Sequence, residues 1–284
     1  MKRLLFLLLA LLAAPAAAHP ALWVVKDADT TIYLFGTVHL LPHDTDWHFP
    51  ALDKALAGSQ VLYVEIVDDD QANMTALVLR YGMDMAHPLS NLLTPFERDR
   101  LEHAARLANI PGGIAALDVM RPWLAALTLT IAPLTQAGLD PAEGVDKQLR
   151  ATMEKSGKPV HALETAEQQI RFLADMPQAM QLALLRSSLR DTDRASVDLK
   201  TLVNAWKDGD DAAIARLEND LMRREEPALY QRLLVERNAT WARRVATMLQ
   251  QPGTTFIAVG AAHLAGPDSL QAQLKKQGDV VDRL

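Results

Sequence analysis

Thr31-Ile32-Tyr33-Leu34-Phe35-Gly36-Thr37-Val38-His39 and Thr254-Thr255-Phe256-Ile257-Ala258-Val259-Gly260-Ala261-Ala262-His263 share one pattern. Each is a β-branched and aromatic run that reaches a glycine and, three residues on, a histidine. Such runs read as buried strands. The glycine is expected to let the chain turn tightly just before the histidine. Further β-rich runs lie at 21–25, 60–66, 158–163 and 279–282. The polar turn Lys26-Asp27-Ala28-Asp29-Thr30 predicts a hairpin between the first two runs.

Nearly everything between these runs has helical period. Segments 50–57, 71–80, 94–108, 121–130, 141–155 and 165–175 place apolar residues on one helical face, and a longer stretch, 177–250, breaks near Asp208-Gly209-Asp210 and Glu226-Pro227. Thr94-Pro95-Phe96-Glu97 sets a cap, an N1 proline and a capping-box glutamate in order. Asp140-Pro141 repeats the cap and proline. Strands near both ends with helices between them predict an α/β or α+β fold. Its central sheet would be built from N- and C-terminal strands around a large helical insertion, with the strand order left open.

Composition narrows the function. The 284 residues are 49% hydrophobic and 23% charged, with net charge −6 and no cysteine. Absent cysteine excludes disulfides, thiolate metal sites and cysteine nucleophiles. An acidic chain lacks the field that nucleic acid or anionic lipid requires, so nucleic acid is excluded as a main partner. Met1-Lys2-Arg3, an apolar run over 4–14, Pro15 and Ala16-Ala17-Ala18 read as a signal peptide over 1–18, followed by one domain over 19–284. The run is too short to span a bilayer, where about 20 residues are needed, and no cysteine follows to carry a lipid. The expected product is exported, periplasmic or secreted, soluble, and without a stable membrane anchor.

Beside His39 and His263 stand two carboxylates at comparable places, Glu65 in Val61-Leu62-Tyr63-Val64-Glu65-Ile66 and Glu164 in His161-Ala162-Leu163-Glu164-Thr165. Ligands gather where strands of an open sheet end. A glutamate ending an apolar strand is costly to bury without a charge, a metal or hydrogen bonds. Two histidines and two glutamates match the chemistry of a divalent cation, Mn²⁺, Zn²⁺ or Co²⁺. The bland alternative is a pair of strand-end histidines that cap turns.

The segments Leu34–Pro42 and Val259–Gly266 resemble the paired Gly-x-x-His motifs of the TraB/GumN family. Val64-Glu65-Ile66, Arg121-Pro122-Trp123, Gly144-Val145-Asp146, Leu163-Glu164-Thr165-Ala166-Glu167-Gln168 and Glu236-Arg237-Asn238 are similar to the family in the same order. The family includes the animal TIKI proteins, which are metal-dependent peptidases, and is related to erythromycin esterases and the haem-binding ChaN. What the resemblance implies is a sheet-centred fold and a peptidase-like, metal-dependent hydrolase. His39, Glu65, Glu164 and His263 fall on its motif positions, and Arg237 on the arginine of its Arg-Asn pair. In that reading the histidines and one glutamate bind the ion, the other glutamate takes the proton of the attacking water, and Arg237 stabilises the oxyanion. Peptide and small-molecule substrates both remain open, as does the oligomeric state.

Two rivals stand beside it. One is a metal-independent esterase with a histidine base oriented by the carboxylates. The other is a non-catalytic binding protein for haem or an envelope polysaccharide. Other residues have plainer readings. His43 and His48 read as loop residues, Arg121 and Trp123 as a capped, packed helix start or equally as ligand contacts, and Asp146 by default as part of a solvated helix face, with a site carboxylate as the alternative. Without the resemblance Arg237 reads as a partner in intrahelical pairs, and Met176, Met180 and Leu184 as core.

Overall fold

The computed structural model describes residues 19–43, 45–192 and 195–284. The signal peptide expected over 1–18 lies outside them. Among the described residues the strands are β1 (Leu22–Lys26), β2 (Thr30–Thr37), β3 (Leu41–Pro42), β4 (Val61–Val64), β5 (Leu139–Asp140), β6 (Val160–Ala162), β7 (Gly253–Gly260) and β8 (Val281–Arg283). Six form one mixed sheet in the order β6-β4-β7-β2-β1-β8, and β3 pairs with β5 apart from it. β1 and β2 make the expected hairpin, Leu22 opposite Phe35 and Lys26 opposite Thr31. The fold is mixed α/β, and every β-rich run of the sequence appears in the main sheet.

Four adjacent strands, β6, β4, β7 and β2, with β6 at the edge, run parallel. β7 lies between β2 and β4 although it follows them by some two hundred residues. The β2–β7 register pairs Thr30 with Gly253 and Thr37 with Gly260, so both Gly-x-x-His segments leave the sheet at the same end. Both faces of the sheet are covered, as parallel sheets require. Phe35, Leu62, Phe256 and Ala258 pack against Trp47, Leu52, Leu149 and Trp206. Ile32, Leu34, Ile257 and Val259 pack against Trp241, Val245, Leu270 and Leu274 on the other face.

The two motif glycines do not serve as left-handed turns. Neither Gly36 nor Gly260 has a positive φ, and Gly260 is at φ −49°. The reason for Gly36 is space: a Cβ there would sit 3.1 Å from the Cα of Ala261, so the two motifs cross in close contact.

Helices close over the carboxyl end of the sheet. Helix Pro95–Leu107 begins with the expected capping box of Thr94 and Glu97, and Ala166–Ala174 has a second one from Thr165 and Gln168. The helix expected over 141–155 is instead two pieces, a short turn Pro141–Glu143 capped by Asp140 and the helix Val145–Lys155, with extended Gly144 between them. Helices Gln71–Gly82, Pro122–Gln136 and Ala166–Ala174 share a core of Leu77, Trp123, Leu124, Ala166, Ile170 and Ala174. The long helical stretch breaks at Gly209 and Pro227 as its sequence implies, and also contains two π-helical turns, Ala215–Asn219 and Gln231–Val235, with no counterpart in the sequence reading. Among the described residues no helix is long and apolar enough to cross a membrane.

Candidate functional site

The four expected residues lie one to three positions past the carboxyl ends of four neighbouring parallel strands. Glu65 follows β4, Glu164 follows β6, His39 follows β2 and His263 follows β7. The β4–β6 ladder continues past the strands through Glu164 N–H to Glu65 O at 2.9 Å, which sets the two glutamates side by side.

Arg237 lies between the carboxylates. Its Nη2 donates to Glu65 Oε2 at 2.6 Å and to Glu164 Oε2 at 2.8 Å, and its Nε donates to Glu164 Oε1 at 3.0 Å. Gln169 Nε2 donates to Glu65 Oε2 at 2.8 Å and to Glu164 Oε2 at 3.2 Å. The backbone N–H of Gly260 donates to Glu65 Oε1 at 2.8 Å. The side chains are only 12% (Arg237), 12% (Glu65) and 7% (Glu164) exposed, so the charges compensate one another in a largely dry place. Burial alone would raise the Glu65 carboxyl, but the Arg237 charge, the histidines and the Gly260 N–H outweigh it and hold it far below the ordinary carboxylate range. Burial disfavours the guanidinium of Arg237 too, and the two carboxylates more than restore it. The guanidinium also lies over the rings of Trp241, at 4.8 Å, and Phe172, at 5.5 Å. The intrahelical pairing that sequence suggests for Arg237 does not occur among these contacts.

His263 is buried beside it. Arg237 Nη1 faces His263 Nε2 at 3.1 Å, and His263 Nδ1 is 2.7 Å from Asn238 Oδ1. An arginine only donates, so Nε2 carries the lone pair and Nδ1–H donates to Asn238. Burial, with the neighbouring Arg237 and His39 charges, outweighs the opposing Glu65 carboxylate, pushes this imidazole down to about 3 and keeps it neutral. Asn238 is fixed in turn by donating to the carbonyls of His263 and Asp268.

His39 differs. Its ring is 56% exposed and its Nδ1 is 3.0 Å from Asp146 Oδ1. Burial works to lower its pKa, but the Asp146 hydrogen bond and charge, with Glu65 behind, raise it to about 9. Solvent on the open side of the ring damps that shift. Nε2 is left free. A Cβ placed on Gly260 would lie 3.3 Å from Glu65 Oε1, 3.6 Å from His39 Nε2 and 3.7 Å from His263 Cδ2, so these three groups surround one point.

The structure therefore brings His39, Glu65, Glu164, His263 and Arg237 together, and adds Asp146, Gln169 and Asn238. Asp146, read from sequence as a solvated helix face, instead holds His39. The cause is Gly144, whose Cβ would come within 2.8 Å of the His39 carbonyl; its absence lets helix Val145–Lys155 press onto the His39 loop and bond Val145 N–H to Val38 O. Gly144-Val145-Asp146 was the available signal. Gln169 had none. The π-helical turns border the site, a common location for them: Asn219 donates to the carbonyls of Ala262 and Ala265 around His263, and Gln231–Val235 ends just before Arg237. His43 pairs with Glu143 and Asp140, and His48 with Asp53, both on the surface. Arg121 and Trp123 both donate to Tyr81 O.

Two cavities meet at the cluster. One, of about 200 Å³, is lined by His39, Glu65, Ile66, Asp69, Asp146, Gln169 and Ala258. The other, of about 470 Å³, reaches Glu65, Gln169 and Arg237 from among apolar helix faces.

Among the described residues no three histidine, aspartate or glutamate side chains are grouped to hold a metal ion. The reason is the guanidinium, which engages Glu65 Oε2, both oxygens of Glu164 and the lone pair of His263. Only His39 Nε2 stays free of a protein partner among the expected donors. In this arrangement the residues do not fit a resident ion.

A family model described as the TraB/PrgY/gumN family matches residues 21–283. The chain is similar to "Uncharacterized protein YbaP" of Escherichia coli K12, 27% identical over 90% of this chain and 92% of that protein. A Treponema pallidum protein described only as uncharacterized is 22% identical, over 90% of this chain and 80% of that one. "Metalloprotease TIKI1" of Danio rerio is 27% identical, covering 92% of this chain and 62% of that protein. No solved structure matches.

Proposed function

The chain belongs to the TraB/PrgY/gumN family, and on that premise we propose that it is a hydrolase of acyl bonds whose chemistry centres on His39 and Arg237. The distant likeness to a metalloprotease supports a hydrolase-like role. One observation carries the reading. His39, backed by Asp146, presents a free Nε2 toward the same point as Glu65, beside a buried guanidinium.

The roles follow from the geometry. Neutral His39 takes a proton from water on Nε2 as the water oxygen bonds to the carbonyl carbon. Asp146 holds the ring and stabilises the imidazolium that forms, as the carboxylate of a catalytic triad does. The imidazolium then gives that proton to the leaving nitrogen or oxygen as its bond to carbon breaks, so the water supplies hydroxyl to the acyl group and hydrogen to the leaving group. Arg237 faces the carbonyl oxygen. Its Nη1 reaches Leu233 O only at 3.4 Å, and this weak bond is the one exchanged for substrate. Glu65 lines both cavities, whereas Glu164 lines neither and holds Arg237 in place.

Metal dependence is the second reading. It is favoured by the tied Nδ1 atoms of both histidines, since ligating imidazoles are oriented in this way. It requires Arg237 to release both carboxylates. Activity of the purified 19–284 protein against acyl esters and amides decides between the two. The His39 reading expects His39→Gln to abolish hydrolysis while the protein still folds, with no more than the modest loss of melting temperature that an exposed His39–Asp146 pair explains, and chelator to leave the wild type active. Full activity in His39→Gln would overturn the proposal. Loss with chelator and recovery with Mn²⁺, Zn²⁺ or Co²⁺ would replace the first reading by the second.

Export rests on residues 1–18 alone. N-terminal sequencing of protein recovered from the periplasm is expected to read His-Pro-Ala-Leu-Trp, and an intact Met1 there would refute it.

A further inference from the structure

From the two cavities that meet at Glu65 and Gln169, we propose that the substrate is a long-chain acyl group joined to a small polar head, an N-acyl amine above all. This deepens the hydrolase reading and rests on it.

The larger cavity is lined by Met74, Leu127, Ile170, Phe172, Leu173 and Leu184 among others, and also carries the hydroxyls of Thr130 and Ser188. Those two hydroxyls bond each other at 3.2 Å and Thr130 also reaches Ala126 O at 3.0 Å, so they do not call for a polar group on a ligand. At the roughly 30 Å³ a water takes up in the liquid, about 470 Å³ holds about sixteen water-sized groups. That exceeds a tryptophan side chain, so an extended chain fills the space better than one residue of a peptide. Arg237 stands where this cavity meets the cluster, so a carbonyl at the head of the chain has its oxygen beside the guanidinium.

The smaller cavity sets the other half. It contains His39, the proton donor to the leaving group, so the leaving group lies there. About 200 Å³ admits about seven water-sized groups by the same measure. Its walls carry three carboxylates, Glu65, Asp69 and Asp146, with one imidazole. An amine that leaves and takes up a proton is stabilised among them, whereas a carboxylate-bearing or bulky head is not. In the reaction the C–N bond breaks, the water oxygen stays with the acyl carbon, and the water proton reaches the amine through His39.

The test uses acetyl, hexanoyl and decanoyl ethanolamides with the 19–284 protein, read as released ethanolamine, and separately as the shift in melting temperature caused by each amide. Turnover is expected to rise about fourfold in kcat/KM per methylene, the factor that corresponds to burying each one. Leu127→Trp, which fills the cavity, should bring the decanoyl-to-acetyl ratio close to one. Leu184→Trp, from the facing helix, gives the same readout if the first variant melts early. Binding that grows with chain length and is lost in these variants, without turnover, supports the acyl cavity and overturns the hydrolase reading. Turnover indifferent to chain length overturns the acyl cavity and leaves the hydrolase reading standing. A chain-length preference that survives both tryptophans also overturns this placement.

Discussion

Replacing Arg237 by Met removes the cation from between two buried carboxylates and leaves most of the apolar stem over Trp241 and Phe172. Glu65 and Glu164 then face each other at 12% and 7% exposure without compensation. Removing one partner of a buried pair costs about 3–5 kcal/mol, so a loss of that size is expected near pH 8. The loss must depend on pH. In the wild type Glu65 is held below its ordinary value, so its contribution is complete above the unfolded carboxylate pKa and fades only in strong acid. In the variant one proton shared by the two carboxyls becomes favourable, and stability falls as rising pH removes it. The gap between the proteins should therefore widen by up to about 1.4 kcal/mol per pH unit while that proton is bound, and narrow to about 1–2 kcal/mol near pH 5. Urea unfolding at several pH values measures it. Adding Glu65→Gln to the variant should recover about 2 kcal/mol near pH 8, because one buried charge disappears. The vacated position should also accept a divalent ion: at a hundred times Kd, Mn²⁺ or Zn²⁺ would add about 2.7 kcal/mol to the variant. A pH-independent loss below about 1 kcal/mol, or an equal metal response in the wild type, would refute the argument that the guanidinium holds the cluster together.

Three further expectations follow from the same contacts. With His39 as the base and its pKa raised by Asp146, kcat/KM should climb by up to about tenfold per pH unit from neutrality and level off no higher than about pH 9; Asp146→Asn should move that limb lower, and an unmoved limb would exclude the pairing. Gly144→Ala places a methyl within 2.8 Å of the His39 carbonyl, so hydrolysis should fall at least about tenfold, with little change in urea stability beyond about 1–2 kcal/mol; wild-type turnover would show that the Val145 contact does not position Asp146. Thr94→Ala removes a capping box on an exposed helix start and should cost about 1 kcal/mol without altering activity, measured by thermal unfolding.

The sheet was legible because burial leaves a local record. β2 and β7 are largely covered on both faces, so apart from their glycines their positions are apolar, aromatic or β-branched, and their runs stand out from helical surroundings. The same holds for helix starts, where Thr94 and Glu97 satisfy each other within one turn. The break at Gly144 was not legible, since its reason is the His39 carbonyl, far away in sequence. Asp146 was assigned to solvent for the same cause. In helix Val145–Lys155 it is one acidic residue of a first turn, and only the contact with β2's exit gives it a partner. The π-helical turns likewise answer tertiary demands, such as Asn219 reaching two carbonyls of the His263 turn.

In this cluster the donors expected for an ion are engaged by a side-chain cation. Two glutamates at strand ends require positive compensation once buried. That requirement is readable from sequence, but it is met equally by an ion or by a guanidinium. What separates the two is where the cation originates. Arg237 enters from the first turn of helix Glu236–Met248, which lies across the sheet face through Trp241, Ala242 and Val245. That packing fixes the helix independently of the site, and Trp241 lies under both the guanidinium and the His263 ring, at 4.8 Å and 4.5 Å. The next residue, Asn238, commits the proton of His263 to Nδ1, so that its lone pair meets Arg237. Glu164, Glu65 Oε2 and the His263 lone pair thus all meet one side chain whose position the core already determines, with Gln169 and the Gly260 N–H supplying the further donors. His39 alone keeps an uncommitted nitrogen, held by Asp146 at the open side of the cluster. A charge-compensated interior beside one free, basic imidazole is an arrangement that suits the proton transfer proposed for His39.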